Sequence, residues 1–177
     1  MNTTTQPDTA PKDVGAICHK WWRTYLNKDT GGGRAARAKL RRASTPVEAL
    51  AIAEVHGLYA ALDRNIAPDR LSLIATALAQ LEADDKTAAR RFGGKGGGDN
   101  RVLSEPRFQN LVRATDPAAL IVPLRRALTI IDKRADIRRL AGDLYYWSEK
   151  VRTRWCFDYY GASAAGPEFA KEEESET

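Results

Sequence analysis

Val14-Gly15-Ala16-Ile17-Cys18-His19-Lys20-Trp21-Trp22-Arg23-Thr24-Tyr25-Leu26 sets its apolar side chains at Val14, Ile17, Cys18, Trp21, Trp22, Tyr25 and Leu26. That three–four spacing marks one face of an α-helix. Outward from this helix the same period returns, punctuated by turn residues. Gly31, Gly32 and Gly33 are expected to break it, and a short second helix follows from Arg34 to Ala43. Thr45-Pro46-Val47-Glu48 has the form of a capping box with proline at the first helical position. A third helix is therefore expected to start there and to carry Leu50, Val55, Leu58, Tyr59 and Leu62. Pro68 and Asp69 restart the chain for a fourth, whose inner face reads Leu71, Ile74, Leu78 and Leu81.

From Asp84 to Leu103 the apolar pattern fades, and Gly93-Gly94-Lys95-Gly96-Gly97-Gly98 suggests a flexible linker between two small bundles. Ser104 is placed to cap a helix holding Phe108, Leu111 and Val112. Asp116-Pro117 opens the next, with Leu120, Ile121, Leu124, Leu128 and Ile131 inward and Pro123 predicting a kink or a later start. A long last helix over 136–160 buries Ile137, Leu140, Leu144, Trp147, Val151 and Trp155. No stretch alternates with the period of a strand, so the fold class is all-α. The expected organisation is a disordered leader (1–12), an N-terminal lobe (13–83), a linker (84–103), a C-terminal lobe (104–160) and a disordered acidic tail (161–177).

The chain of 177 residues is 43% hydrophobic, enough for a core of ordinary domain size. Four Trp and six Tyr exceed what a small core needs, which places some rings at subunit interfaces. No apolar run approaches the roughly 20 residues of a membrane span. The Thr- and Pro-rich start does not read as a signal peptide, so a cytoplasmic location is expected. The formal charge is +5, but Glu168–Thr177 hold five Glu and one Lys, so the chain before them carries +9. A basic body predicts an acidic partner. The most basic helix has only Ala and Leu40 behind it, too narrow an apolar face for a membrane surface, and nucleic acid is favoured.

Catalysis finds little support. The glycine run lacks the Lys-Ser/Thr ending and preceding strand of a phosphate loop. His19 and His56 form no ligand set with the two cysteines, so neither metal nor other cofactor is expected. Cys18 and His19 are helical neighbours that cannot face each other. Cys18 and Cys156 read as buried free thiols, and the adjacent Asp84 and Asp85 as a solvated loop.

Arg34-Ala35-Ala36-Arg37-Ala38-Lys39-Leu40-Arg41-Arg42 carries the binding argument. At about 100° per residue, Arg34, Arg37 and Arg41 share a narrow face, Arg42 flanks it, and Ala36, Leu40 and Ala43 lie opposite. No acid lies between Asp29 and Glu48 to neutralise the cations. Guanidinium groups hold phosphate oxygens with paired hydrogen bonds. Arg34, Arg37, Lys39, Arg41 and Arg42 are candidate nucleic-acid contacts. Arg107 and Arg113 beside Phe108, then Arg125 and Arg126, join them. So do Arg138 and Arg152, which repeat at seven residues with Tyr145. Together they suggest a phosphate-tracking groove.

Arg37-Ala38-Lys39-Leu40-Arg41-Arg42-Ala43 resembles the R-A-x-L-R-R-A signature of the CRISPR-associated CasB family, the small subunit of the type I-E Cascade complex. The Trp-Trp-Arg of the first helix fits, as do Phe108-Gln109-Asn110-Leu111-Val112-Arg113-Ala114, Leu124-Arg125-Arg126-Ala127-Leu128 and Leu144-Tyr145-Tyr146-Trp147. The resemblance runs from about Ile17 to Tyr160. It implies two helical bundles, and two copies head to tail in a complex with backbone and large subunits. It also implies contacts to guide RNA, target DNA and the displaced strand that stabilise the R-loop. Arg37, Arg41 and Arg42 inherit a binding role from the signature, and Arg113, Arg125 and Arg126 from the further matches. The alternatives are a helix-turn-helix regulator, which would bind a defined palindrome, and a helical adaptor for acidic proteins, which would ignore DNA. On the binding reading, Arg37→Ala with Arg41→Ala weakens strand-displaced complexes without changing helicity.

Overall fold

A computed structural model describes residues 13–94 and 101–161. These form α1 (Val14–Tyr25), α2 (Gly31–Arg42), α3 (Pro46–Leu50), α4 (Ala53–Ala61), α5 (Pro68–Gln80), α6 (Ala88–Gly93), α7 (Glu105–Arg113), α8 (Pro117–Ile130), α9 (Ile137–Tyr145) and α10 (Glu149–Tyr160). The fold is all-α: among the described residues the one β-type pairing is an isolated bridge between Ala83 and Arg134. The leader, Lys95–Gly98 and the tail after Gly161 lie outside the described residues.

Short polar side chains start most helices by accepting the first free backbone N–H groups. Asp13 accepts from Ala16 N (2.9 Å), Thr30 from Gly33 N (3.1 Å), Asp136 from Arg139 N (2.8 Å) and Ser148 from Val151 N (3.4 Å). In the capping box, Thr45 accepts from Glu48 N, while the Glu48 carboxylate takes the N–H of Ser44, one residue beyond the expected partner. Ser104 sits at the cap position of α7, but its hydroxyl makes no capping bond.

Several boundaries differ from the expected ones. Gly31–Gly33 form the first turn of α2 rather than a break before it. Packing explains the third glycine: a Cβ on Gly33 would lie 1.9 Å from the Asn27 carbonyl oxygen. The third expected helix is two, because Ile52 turns extended (φ −96°, ψ 121°) and inserts into the core. The long last helix is also two, divided where extended Ser148 caps α10 and Trp147 turns inward to donate to the Ala114 carbonyl (2.8 Å). Helix α8 starts at Pro117 and runs through Pro123, whose missing N–H falls opposite the carbonyl of exposed Ala119.

The fourth helix differs most. Every residue of α5 from Leu71 to Gln80 is buried, not one face alone. Its polar members turn back on their own helix: Ser72 donates to Pro68 O (2.7 Å), Thr76 to Ser72 O (2.8 Å) and Gln80 to Thr76 O (3.4 Å). Around this axis pack α2, α3, α4, α8 and α9, and α1 lies against α9. There a Cβ on Gly15 would meet the Arg138 carbonyl oxygen at 2.7 Å.

A second cluster joins α6, α7 and α10. Phe108 stacks on Tyr159 (3.8 Å between centroids), Phe92 tilts against Trp155, and Tyr159 donates to the Leu103 carbonyl (2.6 Å). The segment expected as a linker thus contains a helix, with Ala88, Ala89, Phe92 and Leu103 buried. Residues 84–103 do not separate the contacts either, since α8 and α9 pack on α5 and α1.

Candidate nucleic-acid interface

A helix leaves its last four carbonyls without intrahelical donors, and at a buried end those oxygens need partners. Helix α5 ends in the core with Leu78, Ala79, Gln80 and Leu81 at its terminus. All four carbonyls accept from side chains. Trp22 Nε1 donates to Leu78 O (3.0 Å), Arg41 Nε to Ala79 O (2.7 Å), Arg41 Nη2 to Gln80 O (3.4 Å) and Arg37 Nη1 to Leu81 O (3.0 Å). Arg37 Nε also donates to Leu26 O at the end of α1 (2.6 Å), and its guanidinium lies 5.2 Å from the centroid of the Trp22 ring. Two cations therefore sit at the negative end of the central helix dipole, where positive charge is stabilising.

This corrects the reading of the arginine stripe. Arg37 is only 5% exposed, and its guanidinium points into the fold. The acid missing from the local sequence comes from Glu82, which pairs with Arg41, with Arg37 (3.4 Å) and with Lys28 (3.8 Å). Hydrogen bonding from Arg41, with the charges of Arg41, Arg37 and Lys28 behind it, holds the Glu82 carboxyl below its ordinary pKa against the opposing effect of burial. Burial lowers the Arg37 pKa, Glu82 opposes this, and Arg41 adds to it.

Asp84 and Asp85 are likewise more than a solvated loop. Asp84 accepts from Ile137 N at the start of α9 (2.9 Å) and bonds His19 (3.0 Å). Asp85 pairs with Arg91 (2.7 Å) and Arg134 (3.3 Å). The segment Glu82-Ala83-Asp84-Asp85 is thus an acidic hub that ties α1 and α2 to α6 and α9. Its density of acids was the visible signal, but its partners are remote in sequence. Buried Asp143 is a second such centre, holding Arg154, Arg139 (3.7 Å) and the Trp155 indole N–H (2.7 Å). Burial raises its pKa against those partners, Arg154 foremost.

The remaining candidates divide in two. Arg125 donates to the Ala43 carbonyl at the end of α2 and to Ser44 Oγ (3.5 Å). Arg152 donates to Val112 O near the end of α7 (3.1 Å) and to Ser148 O (3.3 Å). With Arg37 and Arg41, these two are half-buried or buried links between elements. Arg34, Lys39, Arg42, Arg107, Arg113, Arg126 and Arg138 are exposed, and none has an acidic partner among the described residues. The Arg34 guanidinium donates to the Lys28 carbonyl (3.0 Å). The bond from Arg125 brings Arg42 and Arg126 to one junction, and the bond from Arg152 places Arg113 at another. Among the described residues no side-chain hydrogen bond or ion pair joins Arg107 or Arg138 to either.

Burial, with Asp13 adding, pushes the Cys18 thiol up to about 12, so it stays protonated at neutral pH. Among the described residues no three His, Cys, Asp or Glu side chains gather as a metal set. No helix among them is long and apolar enough to cross a membrane.

The family profile for CRISPR-associated protein Cse2 matches residues 12–160. A CRISPR-associated protein Cse2 of Thermus thermophilus is 36% identical over 93 residues, which is 51% of this chain and 53% of that relative. The alignment thus spans about half the length of the curated relative. The crystal structure of CasB from Thermus thermophilus superposes with a TM-score of 0.66 at 24% identity, over 87% of this chain and 100% of that one. A chain of E. coli Cascade bound to a PAM-containing dsDNA target gives 0.58 at 25% identity, over 83% of this chain and 95% of that one. The order of the motifs, the all-helical fold and a profile match over most of its length make this chain a member of the CRISPR-associated Cse2/CasB family.

Proposed function

We propose that the protein is a small subunit of a type I-E Cascade complex that holds nucleic acid by its sugar-phosphate backbone and carries out no reaction of its own. The observation that carries this reading is the set of cations left over once the structural ones are assigned. Arg34, Lys39, Arg42, Arg107, Arg113, Arg126 and Arg138 stay at the surface of a member of this family without acidic partners among the described residues. Arg37, Arg41, Arg125 and Arg152 act through the fold, by fixing the helices that present the others. The E. coli Cascade that contains one similar chain is bound to a PAM-containing dsDNA target, which supports the same class of partner here.

The physics suits such a role. Guide–target pairing replaces a duplex of similar stability, so backbone contacts can tip R-loop formation. The partners are guide RNA, target and displaced DNA strands, the backbone and large subunits, and a second copy of the chain, all in the cytoplasm. A helix-turn-helix regulator would need a base-reading helix, and α2 turns two of its arginines inward.

The test is Arg42→Gln with Arg126→Gln, assayed for single-stranded DNA binding against salt. Each lost phosphate contact should reduce the log–log salt slope by about 0.7, with weaker binding on all sequences alike. Unchanged affinity and slope would remove both residues from the interface.

A further inference from the structure

Helix α10 buries Val151, Trp155 and Tyr159 and turns a different stripe outward. Lys150, Thr153, Phe157 and Tyr160 follow one another at three–four spacing on that side and are all exposed. A groove there is lined by Thr153, Cys156, Phe157 and Tyr160, with Phe157 38% and Tyr160 42% exposed. The helix ends at Gly161, which caps it with a left-handed backbone (φ 70°, ψ 8°).

Sixteen residues follow. They hold a single large apolar side chain, Phe169, and then Glu172, Glu173, Glu174 and Glu176. The eight residues from Gly161 to Phe169 can span up to about 27 Å. Phe157 lies four residues back along α10, only about 6 Å. Lys150 is seven residues further toward the helix start, roughly 10 Å. Glu172 and Glu173 follow Phe169 by three and four residues, roughly 10–13 Å of extended chain. A strand of tail running back along α10 therefore meets an apolar socket and a cation at the spacing of its own phenyl ring and carboxylates.

We propose that residues 162–177 lie antiparallel on the outer face of α10, with Phe169 in the groove over Phe157 and Tyr160 and the glutamates beside Lys150. The occupant of the groove is this chain's own tail. The inference goes beyond the nucleic-acid reading and does not depend on it.

Cys156 provides the readout, because it lines the groove while Cys18, the only other thiol, is fully buried. A thiol-specific disulfide reagent applied to the full-length native protein reports on Cys156 alone. Two variants are compared with it: Phe169→Ala, and a chain ending at Gly161. Loss of one buried phenyl ring is expected to raise the Cys156 rate by about tenfold or more in Phe169→Ala, and at least as much in the shortened chain, with Cys18 silent. Replacing Glu172, Glu173 and Glu174 with Gln should give an intermediate rate at low salt. Equal rates in the full chain and both variants would overturn the proposal. Protection that grows with protein concentration would assign the groove to a second copy and overturn it equally.

Discussion

Replacing Arg37 by Ala should unfold this protein far more readily than it should loosen any ligand. The side chain donates to Leu26 O and Leu81 O, pairs with Glu82 and lies on Trp22, at 5% exposure. Alanine would leave two carbonyls at buried helix ends without donors. Each lost charge-assisted bond is worth about 1.5–3 kcal/mol, and a buried acceptor left bare costs about as much as the bond gave. Glu82 would keep Arg41 and Lys28, so its charge would not be stranded. The two bonds together put the loss at about 3–6 kcal/mol. At about 2–4 °C per kcal/mol for a chain of this size, the melting temperature should fall by on the order of 10 °C. The assay is thermal and urea unfolding followed by helical circular dichroism, with Arg42→Ala as control; exposed Arg42 should stay within about 0.5 kcal/mol of the parent. Arg37→Lys should recover only part of the loss, since an ammonium cannot span both carbonyls as the planar fork does. Parent-like stability in Arg37→Ala with sharply reduced DNA affinity would refute this account and restore the expectation that Arg37 meets phosphate.

Three further outcomes are expected. Gly33→Ala should destabilise strongly, because its Cβ would strike the Asn27 backbone, while Gly31→Ala and Gly32→Ala, with open space around them, should each stabilise α2 by about 0.5–1 kcal/mol; equal effects in urea titrations would contradict the packing at Gly33. Asp84→Ala removes an acceptor for Ile137 N and the partner of His19, and should cost about 0.5–2 kcal/mol in the same titrations, as loss of a cap does; no change would return Asp84 to a solvated loop. The folded state holds the Glu82 pKa below its unfolded value, so it binds that proton less readily. Its contribution to stability is then full above the ordinary glutamate range, near about 4.3, and is lost as pH falls through the folded value. Glu82→Gln should flatten that acid limb between parent and variant, and parallel limbs would exclude the group.

Local pattern was enough to read much of this molecule. The three–four recurrence from Val14 to Leu26 is the signature of α1, and Thr45 and Asp116 announce helix starts by a mechanism confined to three residues. The all-α class follows from such signals, and the order of the arginine and aromatic motifs carries the family. Breaks at Ile52 and Ser148 were hidden, because a helical period continues across a turn when both flanking helices present apolar faces to the same core.

What tertiary structure alone decided is the direction of the cations. Arginine is long and has an apolar stem, so its place on a helical wheel does not tell whether its head meets solvent or a neighbouring helix. Arg37 and Arg41 turn inward because the end of α5, some forty residues later in the chain, arrives beside them with bare carbonyls and Glu82. Electrostatic demand at a buried helix terminus is a property of assembled elements. An isolated stripe of guanidinium groups reads the same whether a polyanion or the protein's own backbone awaits it.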